Sequence, residues 1–160
     1  MTVEAARDRY LEVNGFSTAG YSAATFQVDV FGRTWTLPNR PARRRAIPLH
    51  DLHHVVTGYG TDLAGEAETS TWELSGGINS LFLWCFKLSA IAIGLVIAPR
   101  RVLQAARAAR GCRTLYRDPI GYAAILAMTL GELRARLGVP PDGQARRAAR
   151  LHRRAPGSRG

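Results

Sequence analysis

The segment 78–98 is almost wholly apolar and is about as long as a helix that crosses a lipid bilayer. Lys87 lies at its centre, and a lysine at the centre of a spanning helix disfavours insertion by about 3 kcal/mol. Ala90, Gly94 and Ala98 recur every four residues, a spacing that allows close helix packing in water or in lipid. The segment therefore predicts a buried or membrane-touching helix in preference to a membrane span.

The rest of the chain reads as one helical domain. The 160 residues suffice for a single core, and 46% hydrophobic with 21% charged residues excludes intrinsic disorder for the body of the chain. Helical periodicity predicts helices at about 3–13, 47–58, 62–75, 78–97, 99–110 and 120–137. Alternating apolar residues predict one β-hairpin over 26–37. We therefore predict a mostly α fold with one small N-terminal β-hairpin, spanning residues 1–140, and a basic flexible tail at 141–160.

The charge is strongly positive, with a formal net value of +10, and every basic residue except Lys87 is an arginine. Arginines cluster at 40–45, 100–117 and 146–159, which favours an anionic membrane surface as a partner. No nucleic-acid module accompanies this charge, so nucleic acid is not expected. Two cysteines and an acidic N-terminus without a secretory pattern favour the cytoplasm. We expect peripheral attachment to the cytoplasmic face of a membrane.

Four residues with metal-binding side chains stand close together in the sequence: His50, Asp51, His54 and, after eleven further residues, Glu66. In a helix over 47–58, His50 and His54 are one turn apart, and Asp51 flanks His54 on the other side. A short loop then returns Glu66, near the start of the next helix, towards His54. Such a set suits zinc, and iron or manganese less decisively. The alternative is that these four side chains are ordinary surface residues that bind no metal. His53 is expected to have a structural role.

The stretch 50–66 resembles the signature of the ubiquinone (coenzyme Q) biosynthesis protein 4 family. That signature is His-Asp, two residues, His, eleven residues and Glu, and the spacing matches at all four positions. The sequence Gly-Glu-Leu-Arg-Ala-Arg-Leu-Gly at 131–138 is similar to the end of the family's C-terminal helix. The resemblance covers roughly residues 33–140, and its metal motif is the specific part.

This resemblance implies a mostly helical fold, zinc held by His50, Asp51, His54 and Glu66, membrane association, and assembly with other quinone-biosynthesis proteins. It also implies removal of the C1 carboxyl of a polyprenylated hydroxybenzoate and its replacement by a hydroxyl. The chain would then be a metal-dependent decarboxylase, a lyase, in which Asp51 or Glu66 moves a proton at the ring carbon. A groove on the apolar segment would hold the prenyl tail. Candidate residues for that groove are Leu81, Phe82, Trp84, Phe86, Ile91, Leu95 and Val96.

Other functions remain open at this point. The alternative is a non-catalytic scaffold or prenyl-lipid-binding module whose zinc is structural, which the apolar segment and its flanking arginines support. A hydrolase of the His-Asp type is weaker, because the only histidine outside the motif is His152 in the tail. A zinc peptidase is weaker still, because Asp51 stands where those enzymes carry a glutamate base. A homodimer is left open.

Overall fold

A computed structural model describes residues 1–78 and 81–145, apart from the side chain of Phe82. Its helices and strands confirm the predicted mostly α class with one N-terminal β-hairpin. The elements are α1 (Val3–Val13), β1 (Thr25–Val30), β2 (Arg33–Pro38), α2 (Pro41–Thr57), α3 (Leu63–Gly76), α4 (Leu81–Ile97), α5 (Pro99–Ala108), α6 (Tyr122–Ala127) and α7 (Leu130–Leu137). Short 3-10 turns lie at Thr18–Tyr21 and Leu115–Arg117.

The hairpin of β1 and β2 forms as its alternating pattern predicts. The strands pair in antiparallel register around a tight turn at Phe31 and Gly32, which both have positive φ, as two-residue hairpin turns require. The ring of Phe26 lies 6.2 Å from that of Phe86 on α4, centroid to centroid. The guanidinium of Arg43 on α2 lies 3.3 Å from the Phe26 ring centroid. These contacts attach the hairpin to α2 and α4.

Helix α2 begins at Pro41, six residues before the predicted start at 47. Proline suits the first position of a helix because its fixed φ is already helical and the missing N–H would be unpaired there. The arginines that follow are good helix formers, so the polar run extends the helix. The helix ends at Gly58, whose left-handed φ of 77° allows its N–H to bond the His54 carbonyl at 2.7 Å.

The predicted helix over 120–137 is two helices, α6 and α7, separated by extended backbone at Met128 and Thr129. Thr129 and Glu132 form a capping box that starts a new helix. The extended residues also pair with the N-terminus, because the Val3 N–H bonds the Met128 carbonyl at 2.8 Å. The prediction was wrong because helical periodicity across the break outweighed the Thr-x-x-Glu pattern that marks a helix start.

Helix α3 lies at the centre of the fold and packs against both α4 and α5. Ala67 and Trp72 on this helix are fully buried. The close approach of α4 depends on Gly94, because a Cβ added there would overlap the side chain of Ala67. Within residues 1–78 and 81–145, no helix is both long and apolar enough to cross a membrane.

The first residues of the predicted tail pack against the helices. Gln144 is buried, and its amide donates a hydrogen bond to the Ala108 carbonyl at 3.0 Å. The Arg134 guanidinium donates to the Pro141 carbonyl at 2.6 Å. Residues 141–145 therefore lie against the domain, and the rest of the predicted tail, 146–160, lies outside the described residues.

Candidate metal centre

Helices α2 and α3 bring together His50, His54 and Glu66, whose nearest ligand atoms all lie within 4.8 Å of one another. The two histidine Nε2 atoms are 3.2 Å apart. The Glu66 carboxylate lies 3.2 Å from Nε2 of His50 and 3.3 Å from Nε2 of His54. Three of the four predicted ligands therefore converge on one point between two consecutive helices.

The Nδ1 atoms of the two histidines contact other groups of the protein. Nδ1 of His54 lies 3.2 Å from the Tyr59 carbonyl oxygen, which can only accept, so Nδ1 carries the hydrogen. Nδ1 of His50 lies 2.8 Å from a carboxylate oxygen of Glu73. The Nε2 atoms of both histidines face the Glu66 carboxylate. Two imidazoles and a carboxylate suit zinc, so the donor set fits the implied metal.

The position of Glu66 follows from the start of α3. Asp62 caps the helix by accepting a hydrogen bond from the Gly65 N–H at 2.9 Å. This places Glu66 in the first turn, where the helix dipole favours a carboxylate. Gly65 packs directly on the Gly60 carbonyl, and a Cβ at this position would overlap it. The glycine therefore lets the loop between α2 and α3 close tightly enough to set Glu66 opposite the histidines.

Asp51, the fourth predicted ligand, lies beside this group and outside it. Its carboxylate is buried and accepts a hydrogen bond from the Tyr21 hydroxyl at 2.8 Å. Burial raises the pKa of Asp51, although His50 and the Tyr21 hydrogen bond oppose that rise. The structure thus places Asp51 beside the candidate ligands, and its role as a ligand stays a prediction.

Residues from the N-terminal part of the chain close the site, and the sequence analysis did not identify them. The ring of Tyr10 on α1 stacks on His54 at 5.7 Å between centroids. Burial raises the pKa of Tyr10, and the nearby Asp51 and Glu66 raise it further, so the hydroxyl stays protonated. Burial lowers the pKa of Arg43 to about 10, so its guanidinium remains charged at neutral pH. No local pattern marks these residues, because only the packing of distant elements brings them here.

Glu73 on α3 was also missed, although it is fully buried behind the histidines. One carboxylate oxygen lies 2.7 Å from Nδ1 of His53, 2.8 Å from Nδ1 of His50 and 2.9 Å from the Tyr116 hydroxyl. The other oxygen lies 2.7 Å from the ammonium of Lys87. A usable signal existed, because Glu73 follows Glu66 by two helical turns and therefore shares its face of α3.

These contacts decide the charge of the buried groups. Burial alone would raise the pKa of Glu73, but His50 and Lys87 hold it well below its usual range. Burial alone would lower the pKa of His50, yet Glu73 raises it to about 9.

Nε2 of His53 accepts the Leu115 N–H at 2.9 Å, so both of its ring nitrogens are used within the protein. His53 is therefore a structural histidine, as the sequence indicated.

The chain matches no protein-family model and no curated protein.

Proposed function

We propose that the chain binds one divalent metal ion, with His50, His54 and Glu66 as its protein ligands and zinc as the metal that this donor set favours. The observation that carries the proposal is the convergence of the three ligand atoms within 4.8 Å. Both histidines are oriented by partners on their Nδ1 atoms, as metal-binding histidines usually are. Three protein ligands leave a coordination position for a substrate or water, which favours catalysis over a purely structural site.

We further propose that the substrate is a polyprenylated hydroxybenzoate and that the reaction removes its C1 carboxyl group. The motif resemblance supports this choice, and the site offers compatible chemistry. Bound zinc would supply Lewis acidity without a change of oxidation state. The aromatic ring of Tyr10 borders the site, and the charged guanidinium of Arg43 favours an anionic ligand.

The carboxyl group would leave as carbon dioxide, and the electron pair of the broken bond would stay on the ring carbon. That carbon then takes a proton, which Asp51 is placed to hold, since the Tyr21 hydroxyl fixes its carboxyl beside the ligands. Introduction of a hydroxyl at the same carbon is a two-electron oxidation and needs an oxidant such as dioxygen. We therefore assign the proton transfer to Asp51 and the metal-binding role to Glu66.

The proposed reaction can be tested in a quinone-producing strain that lacks its own family member. We expect the natural chain to restore quinone and the Glu66→Gln variant to reduce it by at least about tenfold, because even outer partners of metal ligands contribute about 10- to 100-fold. Mass spectrometry should then show the carboxylated precursor accumulating. Glu68→Gln, which neutralises another glutamate of α3, is the matched control and should restore quinone fully.

Two results would contradict the enzyme. If the natural chain and Glu66→Gln restore quinone equally, the result would favour the alternative, in which the chain is a scaffold or prenyl-lipid-binding module of the quinone-synthesis complex. No restoration by folded natural chain would count against the pathway itself.

We also propose that the chain binds peripherally to an anionic membrane, and the exposed face of α4 supports this. Leu81, Trp84, Leu88 and Leu95 are exposed and lie on one narrow arc of this helix, away from the buried Lys87. Arg100 and Arg101 follow at its end. An apolar stripe with adjacent arginines suits a lipid surface or a prenyl chain. The side chain of Phe82, another candidate for the prenyl groove, lies outside the described residues.

We expect the chain to bind vesicles that contain anionic phospholipid, and to bind them more weakly as salt is raised, because salt screens exposed charges. Leu88→Asp should weaken binding by at least about tenfold, since burying a leucine contributes about 1.5–3 kcal/mol. Ser89→Asp adds the same charge to an exposed position off this arc and should have a much smaller effect. Sedimentation with vesicles measures both. If neither added salt nor Leu88→Asp weakens vesicle binding, the exposed face of α4 is not the membrane-binding surface.

A further inference from the structure

Glu73 and Lys87 form a buried ion pair between α3 and α4 that the proposed reaction does not use. Their side chains are 0% and 4% exposed, and the ammonium lies 2.7 Å from the carboxylate. Lys87 is the only lysine in the sequence, and it lies in the most apolar helix of the described chain.

Stability alone is a poor explanation for this pair. Removing both charges from water is expensive, and replacing a buried ion pair by apolar residues is often neutral or even stabilising. The contacts of Glu73 offer a better explanation, because the oxygen that does not face Lys87 lies 2.8 Å from Nδ1 of His50.

We propose that Glu73 is the positioning residue of the metal site, which holds Nδ1 of His50 so that Nε2 points at the metal, and that Lys87 holds Glu73 in place. The inference rests on the proposed metal site and assigns a role to residues outside the ligand set. Carboxylates that bind the second nitrogen of a ligand histidine fix the orientation of its ring and raise its basicity.

The surroundings of Glu73 allow little movement of its carboxylate. The oxygen near His50 also accepts hydrogen bonds from Nδ1 of His53 and from the Tyr116 hydroxyl. The other oxygen faces Lys87, whose ammonium also lies 2.8 Å from Nδ1 of His50. Because hydrogen bonds from other elements hold one oxygen and the Lys87 ammonium lies against the other, the carboxylate is positioned to support the His50 ring.

The second ligand histidine does not depend on this support. Nδ1 of His54 faces the Tyr59 carbonyl and the Thr69 hydroxyl, each at 3.2 Å. Loss of Glu73 should therefore misdirect one imidazole and leave the other ligands in place. The expected result is weakened and altered metal binding.

The decisive variant combines Glu73→Gln with Lys87→Met, because it removes both charges and leaves no unpaired ion in the interior. We expect its dissociation constant for Co²⁺ to rise about 10- to 100-fold. The visible absorption of bound Co²⁺, which reports ligand geometry, should change as well. Glu68→Gln, on the same helix but paired with Arg101, should leave both readouts unchanged. Circular dichroism verifies that each variant is folded.

If the double variant is folded and binds Co²⁺ with natural affinity and spectrum, the positioning role is wrong and the metal site stands. If the natural chain binds no Co²⁺, both are wrong. Should the double variant fail to fold, Glu73→Asp decides the question, because it keeps a charge beside Lys87 and withdraws the carboxylate from His50. Natural affinity in that variant would overturn the inference, and weakened affinity with an altered spectrum would support it.

Discussion

Replacing His54 with alanine is expected to remove nearly all bound metal from the purified chain. His54 supplies one of the three converging ligand atoms, and its ring is almost fully buried against Tyr10, so no exposed side chain can replace it. Two remaining ligands form a weak site for zinc, which structural and catalytic centres bind with at least three. Elemental analysis should show about one metal ion per natural chain and close to none in the variant.

The tail provides a control for this experiment. His152→Ala also removes one histidine, but from the arginine-rich sequence outside the motif, and it should leave the metal content unchanged. Glu66→Ala should resemble His54→Ala, because Glu66 is the proposed ligand from the opposite helix. Full metal content in both variants would place the metal elsewhere and overturn the proposed site.

The single variant Lys87→Met is expected to lower the free energy of unfolding by about 3–5 kcal/mol. It leaves the Glu73 carboxylate fully buried without the ammonium that lies 2.7 Å away. A loss of this size is a large fraction of the stability of an ordinary domain. Urea denaturation, monitored by circular dichroism without added metal, measures it.

Two comparisons test the interpretation of that loss. Adding Glu73→Gln to Lys87→Met should recover much of the stability, because the interior then holds no unpaired charge. Arg101→Met breaks a pair whose arginine is 45% exposed, and it should cost no more than about 1 kcal/mol. If Lys87→Met were as stable as the natural chain, the loss of the Lys87 ammonium would not have the energetic cost that we expect for a buried, unpaired carboxylate.

The part of the site that could be predicted from sequence is the part built by local geometry. His50 and His54 share a helix face whatever the rest of the fold does, and the short loop brings Glu66 back towards them. The same holds for the hairpin and for α1, whose predicted range of 3–13 is confirmed. Periods of 2 and 3.6 residues carry this information directly.

The remainder depends on contacts between distant parts of the chain. Tyr10, Tyr21 and Arg43 reach the site only because α1, a 3-10 turn and the start of α2 pack around it. Lys87 appeared as an obstacle to membrane insertion, and only its pairing with Glu73 explains why an apolar helix carries it. Pairing between the N-terminus and Met128 likewise divides a helix that periodicity alone continued.

The three proposed ligands lie close together along the chain, and we expect this to affect how the protein folds. Only the end of α2, a short loop and the first turn of α3 separate His50 from Glu66, so bringing them together closes a small loop at low cost in chain entropy. Contacts between residues close in sequence generally form sooner than distant ones, and the contacts of Tyr116 with Glu73 and of Lys87 with His50 are distant. We therefore expect metal to be captured by the α2–α3 pair while the rest of the chain is still unfolded. Metal supply would then influence the order of folding as well as the finished site.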